Sequence, residues 1–191
     1  MNHPLPPETS DTPLAPGMRL AQSERKQLSP EAVAEINAVA DRFPNRLAGT
    51  LPALYIAQRE FGFLSLAAMK EVAKALGVPE GHVFGVATFY TMFRKQPLGR
   101  YHFQVCTNLC CALNGANELL QRVAARTGAV PGEGPTADGM WSVQEVECLA
   151  SCGSAPCLQV NDEVYDEFVD EAKLEAILEA CRRGDYSPWG A

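Results

Sequence analysis

Residues 146–162 read VECLASCGSAPCLQVND, and the interpretation of the second half of the chain starts from this stretch. An apolar run ends where the stretch begins, and apolar residues alternate again at its end. Residues 147–156 are therefore predicted to be a loop between two strands. Three cysteines, Cys148, Cys152 and Cys157, belong to this stretch. In a protein of a reducing compartment, cysteines grouped in this way are typical of metal-binding or redox sites.

The segments on both sides of this loop follow strand and helix patterns in turn. The predicted elements are strands at residues 100–105, 141–146, 157–160 and 164–168, a helix from Leu113 to Thr127 capped by Asn114, and a helix from Asp170 to Gly184. The last two strands form a hairpin about the Asn161-Asp162 turn. The order β-α-β-β-β-α predicts a small mixed sheet with helices packed on it and is compatible with a thioredoxin-like fold.

All seven cysteines of the chain lie after residue 105. They are Cys106, Cys110, Cys111, Cys148, Cys152, Cys157 and Cys181. Cys181 lies on the apolar face of the last helix and is predicted to be a core residue. The other six form two groups, Cys106-x₄-Cys111 with Cys110 inside it, and Cys148-x₃-Cys152 with Cys157 five residues later. Each group follows a strand, so the two groups are expected to converge on one centre.

The spacing of these cysteines favours one type of centre and leaves others open. Four thiolates suit zinc or an iron–sulfur cluster. The x₄ and x₃ spacings fit a [2Fe–2S] cluster better than a tight zinc knuckle. The C-x₂-C-x₂-C run of [4Fe–4S] ferredoxins and the C-x-x-C of dithiol enzymes do not occur in the sequence. Its three histidines lie apart, which disfavours a Rieske centre. Zinc and redox-active or structural cysteines remain alternatives.

The first half of the chain has no cysteine and is rich in helix signals. Residues 1–27 contain five prolines and are predicted to be a disordered or extended tail. Residues 28–98 predict a compact helical bundle because four helix patterns follow one another with short connections. These helices begin after Ser29, at Pro52, at Leu66 and at Pro79, and end at Pro44, at Gly62, at Gly77 and at Phe93.

Charge and hydropathy exclude several classes of function. The 191 residues carry a formal net charge of −7, which disfavours a basic nucleic-acid-binding surface. Residues 1–98 contribute +1 and residues 99–191 contribute −8. No apolar run approaches the ~18 residues of a membrane span. The N-terminal residues lack the patterns of a secretory or mitochondrial leader, so we expect a cytosolic protein.

The segment from Gly85 to Phe93 reads GVATFYTMF and is unusually aromatic. Phe89, Tyr90 and Phe93 are each consistent with the core of the bundle. Aromatic residues are also enriched in the cores of protein interfaces, so part of this face is a candidate docking surface. The sequence does not divide the three residues between these two uses.

Four separate motifs resemble one known family. They are the stretch at residues 146–162, the pair Cys106-x₄-Cys111, the run GVATFY at residues 85–90, and LPALYIAQ at residues 51–58. Together they are similar to the 24-kDa subunit family of respiratory complex I, whose bacterial member is the E component of NADH–quinone oxidoreductase. The resemblance covers roughly residues 28–182.

The resemblance implies an α+β protein in which an N-terminal helical bundle precedes a thioredoxin-like [2Fe–2S] ferredoxin domain at residues 99–185. Residues 186–191 are then a short C-terminal tail. The resemblance also makes Ala155-Pro156 the candidate for the cis-proline bond that thioredoxin-like folds often place before their third strand.

The resemblance further implies one low-potential [2Fe–2S] cluster, in which Cys106 and Cys111 hold one iron and Cys148 and Cys152 hold the other. Two cysteines depart from the family pattern. Cys110 offers a rival ligand beside Cys111, and Cys157 stands where many relatives carry an apolar residue.

A partner subunit that binds NADH and FMN is implied as the electron donor, and the large iron–sulfur subunit is a further expected partner. The chain has no nucleotide-binding motif such as GxGxxG or a Walker sequence, so it is not expected to bind either cofactor itself. The expected place of the protein is the peripheral arm of the complex, on the cytoplasmic side of the bacterial inner membrane.

Three alternatives remain beside this interpretation. The first is the small diaphorase subunit of an NAD-linked hydrogenase or formate dehydrogenase, which shares the cysteine pattern. The second is a zinc-stabilised interaction module. The third is a thioredoxin relative that handles disulfides or peroxides through Cys110, Cys111 or Cys157.

Overall fold

The computed structural model describes residues 27–161 and 165–186. Residues 1–26 of the predicted N-terminal tail, the centre of the predicted hairpin turn at 162–164, and residues 187–191 lie outside the described residues. None of the helices in the described part of the chain has the length and apolar character needed to cross a bilayer.

Four α-helices and one 3₁₀ helix make up residues 27–98, the described part of the first half. They are α1 (Pro30–Ala40), the 3₁₀ helix Arg46–Gly49, α2 (Thr50–Phe61), α3 (Leu66–Leu76) and α4 (Glu80–Phe89). Ser29 caps α1 and Ser65 caps α3, because each side-chain oxygen accepts a hydrogen bond from a backbone N–H three residues later. Helix α2 ends at Gly62 in the left-handed conformation, as predicted.

These helices bury one continuous apolar core. Its most fully buried members include Ile36, Leu54, Leu64, Met69, Val72, Leu76, Val83 and Phe93. They come from all four α-helices and from the segments after α2 and α4, so the predicted bundle is confirmed. Burial of this apolar area is what stabilises such short helices, since isolated helices of this length are marginal in water.

Helix α4 is shorter than predicted, because it ends at Phe89 and not at Phe93. The Thr88 hydroxyl donates a hydrogen bond to the carbonyl of Phe84 at 2.8 Å, and Tyr90 is extended. β-branched and aromatic residues at this end are weak helix formers. As a result Phe93 turns back into the core with 0% exposure, whereas Phe89 is 76% exposed.

The second half is a four-stranded mixed sheet with helices. Its elements are β1 (Tyr101–Cys106), α5 (Leu109–Leu113), α6 (Ala116–Thr127), β2 (Trp141–Val146), β3 (Leu158–Val160), β4 (Tyr165–Asp166) and α7 (Glu171–Arg183). The strand order is β2-β1-β3-β4. Strand β1 pairs parallel with β2 and antiparallel with β3. The predicted mixed sheet and hairpin are confirmed, and the Ala155–Pro156 bond is cis, as expected.

A second apolar core lies between this sheet and its helices. It includes Phe103, Val105, Leu119, Val123, Val143, Leu158, Leu174, Leu178 and Cys181. Cys181 is fully buried there, so the prediction that it is a core residue is confirmed. Tyr186, the first residue of the predicted C-terminal tail, packs on this core and donates a hydrogen bond to Asp166 at 2.7 Å.

The helix predicted from Leu113 to Thr127 with Asn114 as its N-cap is wrong at its start. The short helix α5 ends at Leu113, and Asn114 forms its C-cap. Gly115 then adopts φ +86°, a left-handed conformation that glycine tolerates, and α6 begins at Ala116. The cysteine spacing predicts a loop between the two candidate ligands Cys106 and Cys111, and this prediction is wrong where α5 forms.

The two halves meet where β1 begins. The Gly99 N–H donates a hydrogen bond to the Ser142 hydroxyl at 3.0 Å, and a Cβ on Gly99 would lie only 2.5 Å from the Trp141 carbonyl carbon. His102 is buried beside this junction, and its Nδ1 lies 2.9 Å from the same Ser142 hydroxyl. The His102 ring nitrogen thus has a hydrogen-bond partner in the buried interior.

Candidate metal centre

Two cysteine groups lie at one end of the sheet because β1 and β2 are parallel neighbours. In the register of this pair, Cys106 at the end of β1 lies opposite Val146 at the end of β2. Each strand continues into a loop that carries cysteines, and the Thr107 N–H donates a hydrogen bond to the Val146 carbonyl at 3.3 Å. Parallel pairing therefore brings the two loops to the same edge, which is the convergence expected from the sequence.

The first group is built around α5. Asn108 caps this helix by accepting a hydrogen bond from the Leu109 N–H at 2.9 Å, and Cys110 and Cys111 lie in the helix itself. Cys106 and Cys111 are both buried, whereas Cys110 is only half-buried. The x₄ spacing thus allows one turn of helix to return Cys111 to the side of Cys106.

The loop that carries the first two cysteines of the second group is open to solvent. Cys148 and Cys152 are exposed, and their sulfur atoms are 3.6 Å apart. The Ala150 N–H donates a hydrogen bond to the Cys148 sulfur at 3.3 Å, and Ala150 itself has φ +63°. This tight turn folds the x₃ segment back and places the two thiols side by side.

Backbone and side-chain contacts join the two groups. The Leu149 N–H of the second loop donates to the Cys106 sulfur, and the Cys110 and Cys152 thiols interact directly. Two side-chain hydrogen bonds join the first loop to β2 and to the loop after it. They are Thr107 to Glu145 at 2.6 Å and Asn108 to Glu147 at 3.1 Å. The six thiols near the site form two adjoining sets of three, Cys106 with Cys111 and Cys157, and Cys110 with Cys148 and Cys152.

Cys157 takes a position that the sequence analysis did not assign. The sulfur atoms of Cys106, Cys111 and Cys157 all lie within 4.8 Å of one another, and those of Cys111 and Cys157 are 3.8 Å apart. Cys157 directly precedes β3, and the Cys106 N–H donates to its carbonyl at 3.2 Å. The sequence predicts that a strand begins at residue 157. Only the pairing of this strand, β3, with β1 shows that the Cys157 thiol lies beside Cys106 and Cys111.

The thiols influence one another's ionisation. Burial alone raises the pKa of Cys106, but hydrogen bonds from the Leu149 and Asn108 N–H groups outweigh it and lower that pKa. Burial raises the pKa of Cys111 and of Cys157. The Cys152 thiol donates hydrogen bonds to the sulfur atoms of Cys148 and Cys110, and this raises its pKa to about 11. The raised pKa values favour the protonated forms of Cys111 and Cys152, so ligation of a metal by these cysteines would release protons.

A carboxylate holds the loop of the second group in place. Glu167 accepts hydrogen bonds from the Ser151 hydroxyl at 2.5 Å and from the Ser154 hydroxyl at 2.6 Å. The Phe168 N–H also donates to the Ser154 carbonyl at 2.8 Å. Cys152 lies between the two serines in sequence, so Glu167 fixes both sides of one predicted ligand. No sequence motif predicts this role, because Glu167 lies in the segment after β4, outside the cysteine groups.

This donor set fits the [2Fe–2S] cluster that the resemblance implies. Two pairs of thiols lie in adjoining loops, one pair for each iron, and backbone N–H groups point at sulfur atoms in both loops. The metal-ligating groups that come together within the described residues are cysteines. The assignment of Cys106, Cys111, Cys148 and Cys152 as the four ligands stays a prediction, because Cys157 lies in the first set of three thiols and Cys110 in the second.

Comparison with known proteins points to one family. Residues 36–182 match the family model of the thioredoxin-like [2Fe–2S] ferredoxin. The NADH-quinone oxidoreductase component designated E 2 in Rhizobium meliloti is 43% identical, over 79% of this chain and 89% of its own length. NADH-quinone oxidoreductase subunit 2 of Thermus thermophilus is 45% identical, over 73% of this chain and 76% of its own length.

A solved structure agrees with this match. The structure of an NAD⁺-reducing [NiFe]-hydrogenase in the H₂-reduced state aligns with a TM-score of 0.57 and 26% identity, over 71% of this chain. The aligned part is 22% of the hydrogenase chain, so the present chain spans about a fifth of its length. Taken with the family model and the sequence relatives, these findings show that the chain belongs to the thioredoxin-like [2Fe–2S] ferredoxin family.

Proposed function

We propose that the chain is the electron-transfer subunit of an NADH–quinone oxidoreductase of the complex I type. The observation that carries this proposal is the convergence of two cysteine groups at the ends of β1 and β2, in a chain of this ferredoxin family. Relatives at 43% and 45% identity over most of the chain bear the name of that enzyme. The chain thus contributes to an oxidoreductase through a partner and without an active site of its own.

We assign Cys106 and Cys111 to one iron and Cys148 and Cys152 to the other. Cys106 and Cys111, which would hold the first iron, are buried, whereas Cys148 and Cys152, which would hold the second, are exposed. When bound, the cluster supplies one-electron transfer, with the reduced FMN of the NADH-oxidising subunit as donor. Cys110 and Cys181 are not ligands in this assignment.

The protein residues around the site set how readily an electron is accepted. Glu145, Glu147 and Glu167 lie in or beside the two loops, and added negative charge near a cluster disfavours reduction. The N–H groups of Leu149 and Ala150 oppose this effect, because hydrogen bonds to sulfur stabilise the reduced form. We infer a low reduction potential, as expected from the acidic second half of the chain.

Exposed apolar side chains surround the site and support docking of a partner there. Leu109 and Leu113 lie on α5 on either side of the first cysteine group, and Phe168 lies beside the second. Leu113 is 79% exposed. Apolar side chains grouped around a site are typical of interaction surfaces. We infer that the subunit binding FMN and NADH covers this end, with the large iron–sulfur subunit as a further neighbour.

In this assembly the chain lies in the peripheral arm of a membrane-bound complex, on the cytoplasmic side of the bacterial inner membrane. The family relatives named as subunits of the same enzyme support an assembly of several chains.

The first test is purification of the chain under anaerobic conditions, reduction with dithionite, and measurement of absorbance, EPR and iron content. The expected result is a reddish-brown protein with two irons and two sulfides per chain and a reduced [2Fe–2S] EPR signal. A colourless, EPR-silent protein that holds one zinc would overturn the proposal in favour of the zinc module.

Serine variants test the ligand assignment. C106S, C111S, C148S and C152S are each expected to lose or alter the cluster, because serine is a poor replacement for a thiolate ligand. C110S and C181S are the matched controls and are expected to keep the wild-type spectrum. Loss of the spectrum in C110S with its retention in C111S would show that the first pair is wrongly assigned.

A second candidate has an observation in its favour. The alignment with the NAD⁺-reducing [NiFe]-hydrogenase supports a small diaphorase subunit of a hydrogenase, or by the same logic of a formate dehydrogenase. Co-purification from the native host separates these functions. Complex I subunits are the expected partners, whereas a hydrogenase or formate dehydrogenase subunit would establish the second candidate.

A further inference from the structure

We propose that Cys157 is not an iron ligand but a hydrogen-bond donor to the Cys111 sulfur, and that its thiol raises the reduction potential of the cluster. The inference rests on the proposed function, since it concerns the site to which the cluster is assigned. It gives a role to one of the two cysteines that depart from the family pattern.

The geometry of the contact is specific. The sulfur atoms of Cys157 and Cys111 are 3.8 Å apart, within the range of a hydrogen bond between sulfur atoms. Cys157 has 0% exposure, so no water competes for its S–H. The Cys157 N–H also points at the Cys111 sulfur. Cys111 therefore receives a donor from both the backbone and the side chain of one residue.

The backbone holds this donor in place. The Cys157 carbonyl accepts a hydrogen bond from the Cys106 N–H at 3.2 Å, and the next residue, Leu158, pairs with Val105 in the sheet. Pairing of this segment with β1 therefore fixes Cys157 beside Cys106 and Cys111.

The number of thiols argues against ligation by Cys157. Two irons with two thiolates each use four cysteines, and the four assigned cysteines already form two pairs. A fifth thiolate in a fully buried position would add uncompensated charge, which is costly. A neutral S–H in the same position costs far less and can donate to a sulfur that bears negative charge.

The consequence for electron transfer has a definite sign. Reduction adds one negative charge to the cluster, and hydrogen bonds to the ligand sulfur atoms are strengthened by that charge. The S–H of Cys157 therefore stabilises the reduced form more than the oxidised form. Removing the donor is expected to lower the midpoint potential.

The experiment compares the wild-type chain with C157V and C157S, each purified anaerobically, by EPR-monitored redox titration. Valine has a similar size and no donor, whereas serine keeps a donor. C181V is the matched control, because Cys181 is also fully buried but lies in the other core cluster of the second half. Iron and sulfide content is measured for every variant.

The expected result is full cluster content in all variants and a lowered midpoint potential in C157V alone. A tenfold change in the reduction equilibrium, about 59 mV for one electron, is the upper end of the expected shift. C157S is expected to stay at or above the wild-type potential. In the wild type, exchange into D₂O is expected to shift the iron–thiolate stretching bands in resonance Raman spectra. The shift is expected to be smaller in C157V, where only the backbone N–H donors to sulfur remain.

Each other outcome is decisive. An unchanged potential in C157V, or a fall in C157S equal to that in C157V, would overturn the inference while leaving the cluster assignment intact. Loss of the cluster in C157V and C157S, with cluster content kept in the wild type and in C181V, would make Cys157 a ligand. A wild-type chain without a cluster would instead contradict the proposed function itself.

Discussion

Glu167 shows how one side chain outside the cysteine motifs supports the site. Its carboxylate accepts hydrogen bonds from Ser151 and Ser154, and the Lys173 amine donates to its backbone carbonyl at 2.7 Å. The loop that carries Cys152 is therefore tied to the segment between β4 and α7. A charged acceptor bound by two hydroxyls is a stronger anchor than a neutral one.

We expect E167A to release iron to a chelator several-fold faster than the wild type, because both serine hydroxyls lose their acceptor. E167Q keeps one oxygen acceptor and is expected to lie between the two. The measurement is the decay of visible absorbance with excess chelator. E179A is the control, since Glu179 is exposed on α7. Equal rates in E167A and E179A would contradict the anchoring role.

The pH dependence of this effect follows from the pKa of Glu167. Hydrogen bonds from Ser151 and Ser154 lower that pKa below its ordinary value. The stabilisation is therefore fully present above the unfolded value, about 4.3, and is lost only as the pH falls through the folded value. We expect the ratio of release rates between E167Q and the wild type to be constant from about pH 6 to about pH 8. A ratio that changes within this window would show that another group is responsible.

Helix α5 carries Cys110 and Cys111 of the first cysteine group. It is only five residues long, so its caps matter more than its propensity. Asn108 serves both cysteine loops, because its oxygen caps α5 and its amide donates to Glu147. Asn114 holds the other end by donating to the Cys110 carbonyl at 2.7 Å.

We expect N108A to destabilise the chain by about 1 kcal/mol and to speed chelator-driven iron release. N108D is expected to keep the cap but to lose the donor to Glu147, so its release rate should also rise. Thermal unfolding and the absorbance decay measure the two effects.

N45A is the matched control for N108A. Asn45 caps the 3₁₀ helix in the bundle by accepting from the Leu47 N–H at 2.8 Å. It should show a similar loss of stability without faster iron release. The role of Asn108 at the site would be rejected if N45A and N108A released iron at the same rate.

At the scale of the whole molecule, Gly99 lies at the boundary between the two halves and packs closely against β2. A side chain at this position would meet Trp141 backbone atoms at 2.5–2.8 Å, so the backbone must move to accept it. We expect G99A to destabilise the chain by about 1–3 kcal/mol or more. G85A is the control, since space is open around Gly85 within α4 and alanine favours a helix by about 0.5–1 kcal/mol. Chemical denaturation of both variants tests the difference in sign.

The partner surface is also a property of the whole molecule. L113E is expected to keep its cluster and its melting temperature and to weaken association with the other subunits by about tenfold or more, as for a central interface residue. V130E is the control, because Val130 is an exposed apolar residue beyond α6, before the start of β2. Quantitative pull-down of the subunits gives the measurement, and equal retention of both variants would exclude this surface.

Much of the fold follows from local sequence patterns. Ser29, Gly62 and Ser65 mark helix ends, because capping and left-handed turns depend on the residue at one position. Alternating residues before Cys106 identify β1 in the same way. The grouping of the cysteines after two strands is likewise local, and it was enough to predict convergence and to indicate the family. Local patterns were thus enough to predict most of the elements, the two cysteine groups and the family, but not helix α5.

The tertiary structure decided what depends on register and packing. The end of α4 and the separation of Phe89 from Phe93 depend on what the bundle buries. The position of Cys157 beside Cys111 depends on antiparallel pairing of β3 with β1, which joins residues 46 positions apart. The anchoring of Ser151 and Ser154 by Glu167 depends on the return of the chain after β4. Such contacts join distant segments, and no local pattern specifies which side chains meet, so only the folded chain establishes them.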